Sequence, residues 1–246
     1  AGKTVIAEFA VEMALQSGKR CYYTTPLKAL SNQKFGDFKK KYGEEKVGLL
    51  TGDISINREA PVVVMTTEVF RNMLYGTHLG AVDKNLAQVS HVVLDECHYM
   101  NDAERGTVWE ESIIYCPAQI QIVALSATVA NARELTDWID QTHGPTKLVL
   151  STFRPVPLRF YYFGGAKMFH LYHSGGALNG QIKTLFGKKH DRFAGKKPRG
   201  RKMEPLPDPR DVLRELAGKD MLPAICFLFS RRGCEEAMKK ANDINL

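Results

Sequence analysis

The chain reads as an α/β protein built on a parallel sheet, and three observations predict this. From residue 1 to about 150, stretches with helical spacing alternate with short apolar runs. The runs are rich in Val and Ile and do not alternate with polar residues, as expected of strands covered on both faces. Residues able to do chemistry fall just after those runs, at Thr24–Pro26, Thr66–Thr67, Asp95–Glu96 and Ser126–Thr128. Parallel sheets place their ligands at these carboxyl ends.

Each element has its own signal. In "TVIAEFAVEMALQSG" (4–18), Ile6, Phe9, Ala10 and Met13 recur at helical spacing before Gly18 stops the pattern. "RCYYTT" (20–25) reads as a strand closed by Pro26, and "LKALSNQKFGDFKK" as a helix. "VGLLTGD" and "VVVMTT" read as strands, and "EVFRNMLY" as a helix. "HVVLD" is a strand, "GTVWEESIIYC" a helix, "IQIVALSAT" a strand, and "NARELTDWIDQ" a helix opened by Asn131. "KLVL" (147–150) closes the series as a strand. Two prolines in "STFRPVPLRFYYF" (151–163) break the rhythm, and residues 164–208 read as a Gly-, Pro-, Lys- and Arg-rich loop or insertion. Beyond it, "DPRDVLRELAGKD" reads as helix, "PAICFLFS" (223–230) as a buried strand and "RRGCEEAMKKAND" as helix. Trp109, Trp138 and Phe160–Phe163 are expected to be packing residues.

Composition narrows the class. The 246 residues are 44% hydrophobic and 25% charged, ordinary for a globular domain. "PVVVM" (61–65) and "AICFLF" (224–229) are too short to cross a bilayer, so no membrane partner is expected. No signal peptide is visible. The first residue is Ala, inside what reads as a motif, so the chain is expected to be a fragment. Cys21, Cys97, Cys116, Cys226 and Cys234 are odd in number and never spaced CxxC, which suits small buried side chains in a reducing compartment. The net charge of +7 is concentrated: "KKHDRFAGKKPRGRK" (188–202) alone holds eight Lys or Arg and one Asp. That basic ribbon is either a tethered polycation for nucleic acid, with a salt-sensitive grip, or a solvated insertion without a role.

Two motifs carry chemistry. "AGKT" opens the chain, and Lys3 and Thr4 at a helix start match the tail of a phosphate loop. The Lys reaches β/γ-phosphates, the Thr hydroxyl meets Mg²⁺ and the helix N-terminus favours negative charge. "HVVLDECHYMND" (91–102) ends a strand in two adjacent acids. Such neighbours repel unless a cation or a proton-transfer task holds them together. Asp95 fits the strand-end aspartate that holds magnesium, and Glu96 fits the group that deprotonates an attacking water. Each motif alone is weak; one phosphate loop, one acidic pair and "SAT" about 30 residues further on reinforce one another.

"GKT", "TTPLKALSNQK", "TGD", "TTEVFRNMLY", "DECH", "SAT" and "ICFLFSRRGCEE" stand in the order found in superfamily-two helicases of the DExH type, which the chain resembles. "DECHYMNDAERGTVWEESIIYCP", "LSATVAN" and "FRPVPL" are similar to the superkiller (Ski-like) RNA helicases, above all their cyanobacterial and plant-chloroplast branch. The resemblance covers residues 1–163 and 209–246. It implies a RecA-like helicase domain over 1–150, a linker with the basic insertion over 151–208 and the start of a second RecA-like domain over 209–246. It further implies ATP and Mg²⁺ as ligands, with Gly2, Lys3, Thr4, Asp95, Glu96, His98, Ser126 and Thr128 around the nucleotide. Thr4 and Asp95 would hold the metal, Lys3, Asp95 and Glu96 would catalyse, and His98 would couple the nucleotide to the partner domain. Ser126 and Thr128 would hydrogen-bond back toward the acidic motif. Pro26, Lys28, Ala29, Gln33, Thr51, Gly52, Asp53, Thr66, Thr67 and Glu68 would hold nucleic acid through its backbone, with Arg231 a further contact in the second domain.

The implied function is an ATP-dependent RNA helicase, working alone or in a larger RNA-processing complex, in a plastid or a bacterial cytoplasm. A DNA helicase of the same superfamily and a nucleotide-gated RNA clamp with little turnover stand as alternatives. Parts of the motor that such helicases carry are not found in these 246 residues, so the isolated piece is expected to hydrolyse ATP poorly.

Overall fold

A computed structural model describes residues 2–75, 86–127, 129–151, 153, 156–164, 166–182 and 207–242. Thr128 and the basic ribbon 188–202 therefore lie outside the described residues. The chain divides into two compact units, Ala1–Pro155 and Val156–Leu246.

In the first unit the order is α1 (Lys3–Gln16), β1 (Arg20–Thr25), α2 (Lys28–Tyr42), β2 (Val47–Leu50), β3 (Ser55–Ile56), β4 (Val62–Thr66), α3 (Thr67–Tyr75), β5 (Val89–Leu94), α4 (Thr107–Ile114), β6 (Gln121–Ala124) and α5 (Ala132–Thr142). One six-stranded sheet runs β3-β2-β4-β1-β5-β6, parallel except for the β2–β3 pair. The α/β parallel-sheet expectation holds. Strands β1 and β4 are buried along their whole length, which is why their apolar runs show no alternation. Register aligns the carboxyl ends, with Thr25 beside Thr66, Leu50 beside Met65, and Leu94 beside both Thr24 and Ala124.

Two cores flank the sheet. Tyr22, Val63, Met65, Phe70, Leu74, Val92, Leu94 and Ile113 pack on one face. Tyr23, Val62, Val64 and Val93 pack on the other, with Phe38 of α2 and Ala7, Ala10, Val11 and Ala14 of α1. Small residues thus bring α1 close to the sheet. Its larger apolar side chains, Ile6, Phe9 and Met13, which share helical spacing with Ala10, are exposed.

Two expected strands do not form. Residues 147–150 take no strand conformation, and Val149 and Leu150 are exposed. In 223–230, Ile225, Phe227 and Phe229 are exposed and the segment is likewise irregular. Apolar β-prone sequence becomes a strand only where a neighbour accepts its ladder bonds; no described strand runs beside either segment. Conversely, the second unit holds a hairpin that the sequence reading missed, β7 (Tyr161–Gly164) antiparallel to β8 (Lys167–His170). Among the described residues, that unit also holds helices α6 (Pro209–Gly218) and α7 (Arg231–Ala241). Asp208 and Ser230 cap them by accepting from the Arg210 and Gly233 amides. No helix among the described residues is long and apolar enough to cross a membrane.

Candidate nucleotide site and strand-tip surface

The sheet's carboxyl edge gathers the residues that the motifs single out. Strand β5 stops where Asp95 donates its amide to the Thr24 carbonyl at 3.0 Å. Glu96 then takes a left-handed conformation, φ 53° and ψ 42°, rare for a residue with a side chain. The turn reverses the chain into a short 3-10 helix, Cys97–Asn101. Two main-chain bonds tie the turn to β6: Leu125 N–H to the Leu94 carbonyl and Cys97 N–H to the Leu125 carbonyl, both 2.9 Å.

Glu96 is the centre of a charge cluster. Its Oε2 accepts from Lys3 Nζ at 3.0 Å and lies 3.2 Å from His98 Nδ1. Lys3 sits in the first turn of α1, whose cap Gly2 is left-handed with φ 93° and supplies no capping side chain. That φ suits glycine, and the helix start keeps donors for an anion. His98 Nδ1 also stands 3.5 Å from the Ala127 amide. One nitrogen cannot serve both, so the proton on it decides whether His98 engages Glu96 or the main chain after β6.

Asp95 is fixed at both oxygens. Oδ1 accepts from the Glu96 amide at 2.9 Å, and Oδ2 from the Tyr23 hydroxyl at 2.6 Å. Burial and the Asp95 carboxylate hold the Tyr23 phenol well above its ordinary pKa, so it stays a donor. Lys34 of α2 donates to Thr4 Oγ1 at 3.3 Å and lies 5.9 Å from the Tyr23 ring centre. Beside the pair, burial pushes the Cys97 thiol up to about 11. Ser126 Oγ is buried, and its hydroxyl lies against the Cys97 thiol, where it partly offsets the effect of burial. Main chain, His98 and the Ser126–Cys97 contact thus link the acidic turn to the segment after β6.

These groups fit a magnesium–triphosphate. No set of three or more His, Cys, Asp or Glu suited to a metal exists among the described residues. Nucleotide-bound magnesium asks for less, since it keeps waters and takes one or two protein oxygens beside the phosphates. Each Asp95 oxygen spends one acceptor direction and keeps another.

The other half of the edge holds the residues assigned to nucleic acid. Lys28 Nζ pairs with Asp53 Oδ1 at 2.9 Å, and Thr51 Oγ1 donates to the same oxygen at 2.9 Å. The Lys28 ammonium, then Thr51, keep the Asp53 carboxyl below its usual range. Lys28, Ala29, Gln33, Gly52 and Asp53 are exposed. Pro26, Thr51, Thr66 and Thr67 are buried, and Thr67 Oγ1 donates inward to the Thr25 carbonyl at 3.2 Å. Their side chains therefore build the edge rather than face outward. Arg231 begins α7 in the second unit.

Three residues escaped the sequence reading: Tyr23, Lys34 and Arg105. Arg105 Nη2 donates to the Pro26 carbonyl at 2.9 Å and pairs with Glu68, joining the tips of β1 and β4 to the loop that follows Glu96. Its loop is fixed at both ends. Asp102 Oδ1 accepts from the Glu104 and Arg105 amides at 3.0 Å, and Tyr99 stacks on buried Trp109. The only sequence signal was the polar tip on a buried strand residue and a lone arginine before Gly106.

Comparison with known proteins agrees with this geometry. The DEAD/DEAH box helicase family matches residues 1–136. The chain is 41% identical over 282 residues to the chloroplastic DExH-box ATP-dependent RNA helicase DExH15 of Arabidopsis thaliana, covering 100% of this chain and 24% of that protein. It is 46% identical over 252 residues to the probable helicase HelY of Mycobacterium tuberculosis, covering 97% and 27%. Against mouse superkiller complex protein 2 the identity is 40% over 264 residues, covering 100% and 21%. The chain thus spans about a quarter of the length of these relatives. With its RecA-like parallel sheet and the acidic pair at the tip of β5, the chain belongs to the DEAD/DEAH box helicases.

Proposed function

We propose that the polypeptide carrying this chain is an ATP-dependent RNA helicase, using ATP hydrolysis to unwind RNA, move along it or remodel its complexes. The observation that carries this is the 3.0 Å contact between Lys3 at the start of α1 and Glu96 at the tip of β5, with Asp95 alongside. Lys3 and the α1 N-terminus would hold the phosphates. Asp95 and Thr4 would hold magnesium, which neutralises phosphate charge. Glu96 would orient and deprotonate water, releasing Lys3 to the phosphates as they arrive. Through His98 the same carboxylate would report nucleotide state to the main chain after β6 and to a partner domain. Ser126 and Thr128 are proposed to join that relay.

Nucleic acid would lie across the tips of β2, β4 and β1. There Lys28, Ala29, Gln33, Gly52 and Asp53 face outward, and Pro26, Thr51, Thr66, Thr67 and Glu68 set the main chain beneath them. Such a surface meets phosphate and sugar rather than base edges, which suits a motor indifferent to sequence. The names of the DExH15 and superkiller relatives support RNA as substrate, and the latter supports a larger complex. We assign residues 1–150 to the first helicase domain, 151–208 to a linker and 209–246 to the start of the second. The chloroplastic and mycobacterial relatives support a plastid or bacterial cytoplasm.

The test is ATP hydrolysis by the full-length polypeptide with magnesium, with single-stranded RNA or DNA added. Stimulation by RNA, abolished by Lys3→Ala, is the expected result. Preferential stimulation by DNA would assign the activity to DNA. Turnover unaffected by Lys3→Ala would refute the site.

A further inference from the structure

We propose that Tyr23 is a positioning residue for the metal-holding carboxylate: its hydroxyl, with the Glu96 amide, locks the torsion of Asp95 before any nucleotide arrives. This rests on the nucleotide site proposed above and adds a residue to it.

Tyr23 lies in the middle of β1, hydrogen-bonded into the sheet on both sides, with Val64 and Val93 as its register neighbours. Its ring is 1% exposed and meets Phe38 edge-on at 5.2 Å, among the α1 alanines. A phenol anchored on a central strand has no rotameric freedom to spend, so its oxygen is a fixed point. That oxygen is 2.6 Å from Asp95 Oδ2, a short bond of the charge-assisted kind. The Glu96 amide holds Oδ1 at 2.9 Å. Two donors on two oxygens fix both the direction and the roll of the carboxylate plane. One acceptor direction per oxygen remains, and its orientation is set by the sheet rather than by the ligand. Partners of metal-holding carboxylates do this elsewhere, and their loss weakens metal affinity.

The bond also joins two parts of the edge. The Tyr23 ring carries Lys34 of α2 near its face, and Lys34 holds Thr4. The groups proposed to meet magnesium are thereby tied to the same aromatic ring, Asp95 at its hydroxyl and Thr4 through Lys34 near its face.

The experiment uses the full-length polypeptide and Tyr23→Phe, which keeps the ring and removes the hydroxyl. Binding of a fluorescent ADP analogue is titrated with magnesium, and separately measured in EDTA. The magnesium midpoint should rise on the order of tenfold. Metal-free affinity for the nucleotide should stay at its wild-type value. An unchanged midpoint, or an equal loss with and without magnesium, overturns the assignment. If the wild-type protein binds the nucleotide identically with and without magnesium, the nucleotide site itself is wrong. That outcome is distinct from a wild type that responds to metal and a variant that responds equally.

Discussion

Gly106→Ala pits two effects of opposite sign against each other. Gly106 has φ −57° and ψ −38°, ordinary helical values, so its backbone has no need of glycine. On chain entropy alone the substitution would stabilise by about 0.4–1 kcal/mol. Space argues the other way. A Cβ there would stand 2.2 Å from the Met100 carbonyl oxygen and 2.7 Å from that of Asp102, where ordinary contacts begin at 3.4 Å. Both obstacles are main chain of the tight loop behind Glu96, and neither can rotate away. Relieving an overlap of this size by shifting backbone costs about 1–3 kcal/mol, which exceeds the entropic gain. In a unit of this size each kcal/mol lowers the melting temperature by about 2–4 °C, so a loss of several degrees is expected by calorimetry. RNA-stimulated ATPase should fall even at temperatures where the variant is folded, because Arg105, the preceding residue, is carried with the loop. A variant as stable as wild type, or more stable, would show that the loop yields freely and that its close packing has no energetic weight.

Other outcomes follow from the same coordinates. Glu96→Gln keeps the shape and removes the base, so turnover should drop about 10²–10⁴-fold while nucleotide binding persists; a rate near wild type refutes the assignment of the base. The lost Lys3–Glu96 pair is about one-third exposed, so its effect on stability should be no more than about 1 kcal/mol, read by urea titration. Arg105→Lys cannot reach both the Pro26 carbonyl and Glu68 with one ammonium, so affinity for single-stranded RNA should weaken; unchanged affinity by fluorescence anisotropy would refute the bracing role. Among the cysteines, exposed Cys226 and Cys234 should react with a thiol reagent at once, and buried Cys21, Cys97 and Cys116 only after unfolding. Burial raises the thiols of Cys21 and Cys116 from 9.0 to about 12. Between those values the unfolded chain has lost the protons that the folded one keeps. Stability should therefore be whole below pH 9 and decline above it, which denaturation at stepped alkaline pH would follow.

How much of this was legible depended on distance along the chain. Strands β1, β4 and β5 were readable because six or fewer consecutive residues carry the whole signal. The acidic pair was readable because two neighbouring carboxylates need a reason on any fold. Tyr23 was not, since its partner lies 72 residues away and an aromatic on a strand is normally just packing. Arg105 is 79 residues from Pro26 and 37 from Glu68, and only the folded sheet makes them neighbours. On α1 the buried side was not legible, because hydrophobicity ranks Phe9 above Ala10, whereas a close approach to the sheet selects the smaller residue. Residues 223–230 show the complementary error, an apolar run whose conformation depends on a neighbour that periodicity cannot supply.

The middle strand of the sheet has a mechanical implication. Thr24 and Thr25 are consecutive, so their carbonyls point to opposite sides of β1; one takes the Asp95 amide and the other the Thr67 hydroxyl. The proposed nucleotide half and the proposed nucleic-acid half of the edge are thus joined through two consecutive peptide planes that meet at the Thr25 Cα. Each plane is itself stiff, so only the φ and ψ of Thr25 lie between the two anchors. A displacement on one side that keeps its hydrogen bond must act on the Thr25 backbone, which sits in the ladder beside Thr66, with no slack loop in between to absorb it.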